Sequence, residues 1–509
     1  MHQMTVNSAL LRKPDKILLG GLAFLTAPLI LLGFFYIATS DGISNLPFIF
    51  ILPWAILLGI LVLAPVFYYV LFARSDLVNP IMLASVTYFF PAFVIGSIAL
   101  AFGWTEPYYL SYVKDIHYNF PLTLALIAIG FSSLMAGYYL PISKRLGIAI
   151  GGKSSSVEIP PQRYLIPGVI LVIAGFLFMV LATLVGNFGF QFKNEWGIFD
   201  TAIAMLPNYL TEGIFIVSLA FFRTKKLTVL FYLSYFLVLI AIVAKALLSG
   251  GRSGFLAFVI LTGVAFILSE RKIKLKTFFI GGIFSLVALV GGMLYGTKFR
   301  EIKSTRSSVS FNQYVGYIGE TFDALAKQNG IESLGESFLL IAERFDTVSS
   351  LAVVVSNHEE LAPFEEAYGL DNNILKDTAG FFIPRVFWPD KPVASDPSAY
   401  SDLYFDYGEN AFSITPIGDL LRNFGIPGIV LGMLILGVLL RVIYASTIEN
   451  RPFNISRATV YFMLVSAVSY EGFYGTLLPV LIRVFLLIII GIAFVEAFVK
   501  FTDRRKTVY

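Results

Sequence analysis

At 509 residues, 57% of them hydrophobic and only 14% charged, the chain lies outside the soluble globular range and inside the polytopic membrane class. It has no cysteine, which excludes a disulfide framework and thiolate chemistry, and its three histidines (His2, His117, His358) are too scattered for a histidine-rich metal site. The net charge of +4 says less than where the charges fall.

The N-terminus carries Arg12, Lys13 and Lys16 before an apolar run that is longer than a signal-peptide core and lacks a small-residue cleavage site, so it reads as a retained first span. A hydrocarbon core of about 30 Å needs around 20 apolar residues per helix. On that criterion twelve spans are expected, near 17–39, 47–71, 81–103, 122–140, 165–186, 201–222, 227–248, 253–269, 277–296, 421–445, 458–475 and 477–498, the eighth and eleventh being short. With a cytoplasmic N-terminus, the inner segments hold about 22 of the 37 Lys and Arg, while the short outer loops hold Lys114, Lys193 and Arg252. That asymmetry is what the positive-inside rule expects, and it predicts both termini in the cytoplasm.

Between the ninth and tenth spans a polar stretch runs from Tyr295 to about Asn410. A connection this long is functional or disordered, and it cannot face lipid as irregular backbone. Its aromatic-rich run Phe381-Phe382-Ile383-Pro384-Arg385-Val386-Phe387-Trp388-Pro389-Asp390-Lys391-Pro392 argues for order. Asn312–Gln328 and Glu332–Val355 have helical composition, and the second lies on or dips into the outer face. The expectation is an all-α polytopic membrane protein of about 12 transmembrane helices with one large extracytoplasmic loop between spans 9 and 10. It divides into an N-terminal bundle over 1–296, an outer-face loop with short helices over 297–420, and C-terminal spans over 421–509. No internal repeat suggests the two halves of a transporter.

Cations aimed outward near the membrane recur: Lys245 and Arg252 at the outer end of the seventh span, then Arg300, Arg344, Arg385, Lys391 and Arg422. Guanidinium groups grip phosphate oxygens in a bidentate way, so converging arginines suit a pyrophosphate at a bilayer surface. Arg252, in Ser249-Gly250-Gly251-Arg252-Ser253-Gly254, also fits a plain hairpin turn with one solvated arginine. Lys245 favours the sharper reading, since a charge within a span faces a cavity or a partner. Glu343-Arg344-Phe345-Asp346 reads either as a self-paired surface cluster or as an arginine for phosphate beside a carboxylate for proton abstraction. The prolines around Arg385 and Lys391 set a rigid path that presents both cations; the blander alternative makes Trp388 an interface anchor. Glu212 and Glu471 are lone acids in apolar surroundings, and Glu471 is placed to pair with Arg483 across a short outer turn. No phosphate-binding glycine-rich loop, zinc motif or Ser-His-Asp arrangement stands out, and nothing points to nucleic acid.

The dozen spans, the Gly-Gly-Arg-Ser-Gly turn, the late outer segment with its Pro384-Arg385 to Pro392 run, and Arg422-Asn423-Phe424-Gly425-Ile426-Pro427-Gly428 together resemble the Wzy-type polymerases of bacterial surface polysaccharide repeat units. The resemblance implies a GT-C-like, metal-independent glycosyltransferase of the bacterial inner membrane that needs no cofactor. Such an enzyme moves a growing glycan from undecaprenyl diphosphate onto a sugar hydroxyl of one lipid-linked unit at the outer face, alongside a flippase and a chain-length regulator. It implies Arg252, Arg344 and Arg385 on the departing pyrophosphate, with Lys245, Arg300, Lys391 and Arg422 in support. Glu343 is the first candidate to take the acceptor proton, ahead of Asp346, Asp390 and His358. An O-antigen ligase shares the donor and the outer arginines, and a polysaccharide flippase or transporter shares the span count; both stay open at this point.

Overall fold

The computed structural model describes residues 46–71, 76–152, 159–191, 199–252, 254–269, 275–305, 307–327, 341–381, 383, 387–388, 395–408, 412 and 414–506. Among these residues there is no strand. Nine helices are long and apolar enough to cross a membrane: Ile49–Leu71, Pro80–Ala101, Ile116–Tyr139, Pro161–Leu184, Ala202–Arg223, Val229–Ser249, Phe279–Lys303, Thr415–Thr447 and Tyr474–Thr502. In chain order the helices are α1 (Leu52–Leu71), α2 (Pro80–Ala101), α3 (Ile116–Tyr139), α4 (Pro141–Gly151), α5 (Leu165–Leu184), α6 (Asp200–Met205), α7 (Asn208–Arg223), α8 (Val229–Ser249), α9 (Gly254–Leu268), α10 (Leu275–Lys303), α11 (Phe311–Lys327), α12 (Thr347–Glu365), α13 (Asn373–Phe381), α14 (Pro397–Phe405), α15 (Thr415–Thr447), α16 (Ile455–Ser466) and α17 (Tyr474–Lys506).

The differences from the expected twelve spans have local causes. The first expected span lies outside the described residues. The eighth and eleventh are helices of 15 and 12 residues. At about 1.5 Å per residue these fall short of the hydrocarbon thickness. The expected span over 201–222 is kept as Ala202–Arg223, with the α-helix interrupted at Leu206 and Pro207 between α6 and α7. Tyr295 and Arg300, read from the sequence as part of the polar stretch, belong to α10, which continues to Lys303. The tenth span starts at Thr415 rather than 421 and is bent at Gly425, whose φ of 65° and ψ of −161° are open to glycine and interrupt the helix.

The packing follows small residues. Inside a bilayer, helix association relies on close van der Waals contact rather than on the hydrophobic effect, so glycines mark the tight crossings. α3 and α15 cross where a side chain at Gly137 would strike the backbone of Leu434, and one at Gly437 would strike that of Leu134. The lipid-facing side is apolar in the opposite sense: Leu233, Phe236, Ile240 and Val243 of α8 are exposed at helical spacing.

Polar contacts gather at two ends. At one end Tyr444 donates to Asp76, Arg441 Nη2 pairs with Glu449 Oε1 at 2.9 Å, and Lys144 Nζ reaches the same oxygen at 3.0 Å. At the other, Lys114 pairs with Glu360, Arg344 with Glu471, and Thr105 Oγ1 donates to Asp346 Oδ2 at 3.0 Å. Loops that the charge asymmetry assigns to one side therefore meet each other.

The segment between α10 and α15 enters the bundle. A side chain at Gly96, about 7.5 Å before the end of α2, would run into the carbonyl of Phe345. From there α12 packs against α3 and α15, with Val348, Leu351, Ala352, Val353 and Val354 fully buried. Residues 341–345 are helical and α12 starts afresh at Thr347, so the helix expected over 332–355 is interrupted at Asp346; residues 328–340 lie outside the described residues.

Candidate functional site

A cavity of about 480 Å³ opens between α2, α7, α8, α9 and α16. Its walls are mostly apolar and include Tyr88, Phe258, Phe462 and Tyr470, while Lys245 and Glu471 are the charged residues that line it. Lys245 Nζ hydrogen-bonds to the Thr211 hydroxyl, which also faces this space. A cation inside an apolar cavity at the end of a span is costly to keep and points to an anion or a water-filled path.

The turn between α8 and α9 forms one edge of this cavity through Ser249 and Gly254. α8 ends because Gly250 takes up the left-handed conformation at φ 57°, with its N–H returned to the Leu247 carbonyl at 3.2 Å. The next residues lay the Arg252 backbone directly on Gly296 of α10, where a side chain would clash. Arg252 Nε is buried without a hydrogen-bond partner. Burial pushes the Arg252 guanidinium down from its ordinary value; the neighbouring Arg344 charge adds to this, against the pull of Glu343 and Glu301. A half-buried arginine held beside a second arginine favours an anion between them.

Arg344 reaches the site from the segment that docks on Gly96. Its partner is Glu471, not Glu343 or Asp346, so the four-residue cluster is not self-paired. Both partners are close to half exposed, at 46% and 43% of the side chain. Glu471 was expected to pair with Arg483; that guanidinium instead lies 5.1 Å above the Phe381 ring. Glu343 is exposed, and its carboxylate makes no hydrogen bond or ion pair among the described residues.

Asp346 is buried and caps α12, accepting from the Ser349 N–H at 3.0 Å, the Ser349 hydroxyl at 2.7 Å and the Thr105 hydroxyl at 3.0 Å. Burial raises its carboxyl to about 6, against these hydrogen bonds, which favour the charged form. A carboxyl raised on folding contributes stability that is fully present below its unfolded value of 3.8 and is lost as pH rises through about 6. Docking of α12 is therefore tighter in acid, and Asp346→Asn removes the dependence. Hydrogen exchange over 341–355 at pH 5 and pH 8 checks this; equal protection of the parent protein at both pH values overturns it.

The other expected residues fall elsewhere. Arg300 lies 4.9 Å above the Phe190 ring on α10, one turn beyond Gly296. Arg422 is locked inside the protein: it pairs with Glu365 Oε2 at 2.9 Å and Asp419 Oδ1 at 3.0 Å, and donates to the Leu370 carbonyl at 3.1 Å and to Asn373 Oδ1 at 2.7 Å. His358 sits on α12 with Nδ1 3.2 Å from the Val355 carbonyl. Glu212 is buried against Gly491 of α17, with Oε1 unpartnered. Arg385, Asp390 and Lys391 lie outside the described residues, Arg385 just before and Asp390 and Lys391 just after Phe387 and Trp388, which are exposed. The structure thus brings together Arg252, Glu343 and Arg344, and places Lys245 in the cavity that Glu471, the partner of Arg344, also lines.

Two residues of these networks are not legible as partners in the sequence. Glu471 was visible as a lone acid, but not its partner, 127 residues away. Asp419 carried a signal in its spacing, three residues before Arg422 on one helix face. Among the described residues no group of three His, Cys, Asp or Glu side chains is placed to hold a metal ion. Compared with family models, curated proteins and solved structures, the chain matches none.

Proposed function

We propose that this chain is a glycosyltransferase that polymerises lipid-linked oligosaccharide repeat units at the outer face of the bacterial inner membrane, with undecaprenyl diphosphate as the carrier that leaves. The observation that carries this reading is the apolar cavity with Lys245 inside it and Arg252 and Arg344 beside its edge. An isoprenoid chain needs an apolar wall, and its diphosphate needs cations where that wall meets water. The three fit one amphiphile better than a solute that must traverse the bilayer.

In this mechanism the acceptor sugar hydroxyl attacks the anomeric carbon of the donor glycan. The bond from that carbon to the diphosphate oxygen breaks, and the diphosphate departs with the electron pair. Arg344 and Arg252 take up the charge that develops on the leaving oxygen, with Lys245 in support, and the hydroxyl proton passes to Glu343. Attack opposite the leaving group inverts the anomeric centre. The carrier diphosphate is already activated, so the reaction needs no nucleotide outside the cell.

The test is to supply purified protein with its host's undecaprenyl-diphosphate-linked repeat units, without nucleotide, and to resolve the lipid-linked products by size. A ladder of multiples is expected. Unchanged single units, from folded protein given the correct substrate, overturn the reading, and transfer onto a lipid A core in their place identifies a ligase.

A further inference from the structure

The exposed arginines of this chain differ from the buried one in what they can exchange. Arg422 is held by two carboxylates with its side chain fully buried, whereas Arg344 has one carboxylate partner that is itself half exposed. An ion pair in contact with water is weak and its members trade partners readily. Glu471 belongs to both features of the site, lining the cavity with Lys245 and neutralising Arg344 beside it. We propose that Glu471 determines which anionic head groups the site accepts: it is a resident counter-charge on Arg344 that a diphosphate displaces and a monophosphate does not.

This rests on the head-group reading above and adds a residue to it. The backbone of Glu471 is fixed while its carboxylate is not enclosed. The Ser469 hydroxyl accepts from the N–H groups of Glu471 and Gly472 at 3.3 and 3.2 Å, and the Glu471 carbonyl accepts from Thr415 N–H at 3.4 Å, tying the turn to the start of α15. The carboxylate is therefore held close to Arg344 by a stationary backbone while half exposed to water. A monophosphate that takes Arg344 replaces one anion by another and leaves Glu471 beside it as a repelling charge. A diphosphate spreads its charge over two phosphoryl groups and so reaches Arg344 and Arg252 together; the second cation, with its buried unpartnered Nε, offsets the displaced carboxylate. Glu343, Glu301 and Glu471 are the carboxylates near these cations, and Glu471 alone among them is in contact with one. Rejection by a fixed like charge is how a cationic site gains selectivity that attraction cannot supply.

The experiment compares binding of farnesyl diphosphate, farnesyl monophosphate, farnesol and inorganic pyrophosphate to the full chain in nanodiscs, for the parent protein and for Glu471→Gln, Arg344→Gln and the double variant. The parent is expected to prefer the diphosphate. Glu471→Gln is expected to tighten the monophosphate by about tenfold or more and to narrow the preference, because a like charge has gone. In the Arg344→Gln background the Glu471 substitution is expected to affect the two phosphates alike, because the exchange on Arg344 that separates them has gone. A parent that prefers the diphosphate while Glu471→Gln leaves both affinities unchanged overturns the inference and spares the head-group reading. Failure of parent and variant to bind either farnesyl phosphate overturns both. Inorganic pyrophosphate that binds as well as farnesyl diphosphate, with the same dependence on Glu471, supports the exchange and assigns it to a soluble anion in place of a lipid.

Discussion

Arg344→Gln is expected to lower the rate of polymerisation by about 10²–10³-fold while leaving the fold intact, the loss typical of one charge-stabilising donor removed from a preorganised site. The fold survives because the interaction given up is half exposed: the pair with Glu471 contributes about 0–1 kcal/mol, and the residue before Phe345 is not what docks on Gly96. In the proposed reaction the rate falls because the leaving diphosphate then keeps its charge beside Arg252 and Lys245 only. Arg344→Lys restores only part of it, since an ammonium group cannot offer two parallel donors to two phosphate oxygens. The measurement is the initial rate of ladder formation in nanodiscs, with size-exclusion profile and thermal midpoint as controls for folding. A well-folded variant that polymerises at the parent rate removes Arg344 from the site.

The opposite pattern is expected at Arg422. Arg422→Ala lowers stability by about 3–5 kcal/mol, because it strands the carboxylates of Glu365 and Asp419 in the interior. Burial raises the Glu365 carboxyl, the arginine beside it opposes this, and Tyr404 donates to its second oxygen at 2.8 Å. Asp419 accepts in addition from Gly475 N–H at 3.2 Å and from the Asn423 amide at 3.2 Å, so one guanidinium ties α12, α15 and α17 through a single node. Arg422→Met with Asp419→Asn and Glu365→Gln is expected to recover much of the loss, since replacing a buried network whole costs less than opening it. Thermal unfolding in detergent decides the matter: a midpoint for Arg422→Ala equal to the parent's shows that the node carries no stability.

These two arginines show what can be read from the chain and what cannot. The apolar spans are legible because a run of about 20 apolar residues is itself the measure of the hydrocarbon core. Where helices break inside a span is less so: Pro207 and Gly425 both lie within apolar runs, and whether such a residue bends, breaks or merely interrupts the ladder depends on the neighbours that satisfy its backbone. The cations are visible by type, but type does not give depth. Arg344 and Arg422 both lie in outward segments with acids nearby, and burial alone separates an exchangeable guanidinium from a structural one. Asp346 shows the same: as a letter it is a charge beside an arginine, whereas in the fold it is the cap that starts α12. The Arg344–Glu471 and Lys245–Thr211 contacts join residues far apart in the chain, and one sequence does not hold that information.

The docking of Phe345 on Gly96, and of α15 across α3, sets a constraint on how the protein is made. α2 and α3 leave the ribosome more than 200 residues before the segments that fill their glycine notches, so Gly96 and Gly137 wait uncovered while the same helices already pack against α1. The notches close only after residues 345–355 and α15 have been made and have folded back onto them. A stop codon before that point leaves the pairs α1–α2 and α5–α7 packed but the notch at Gly96 unfilled, and quality control has that simple feature to recognise.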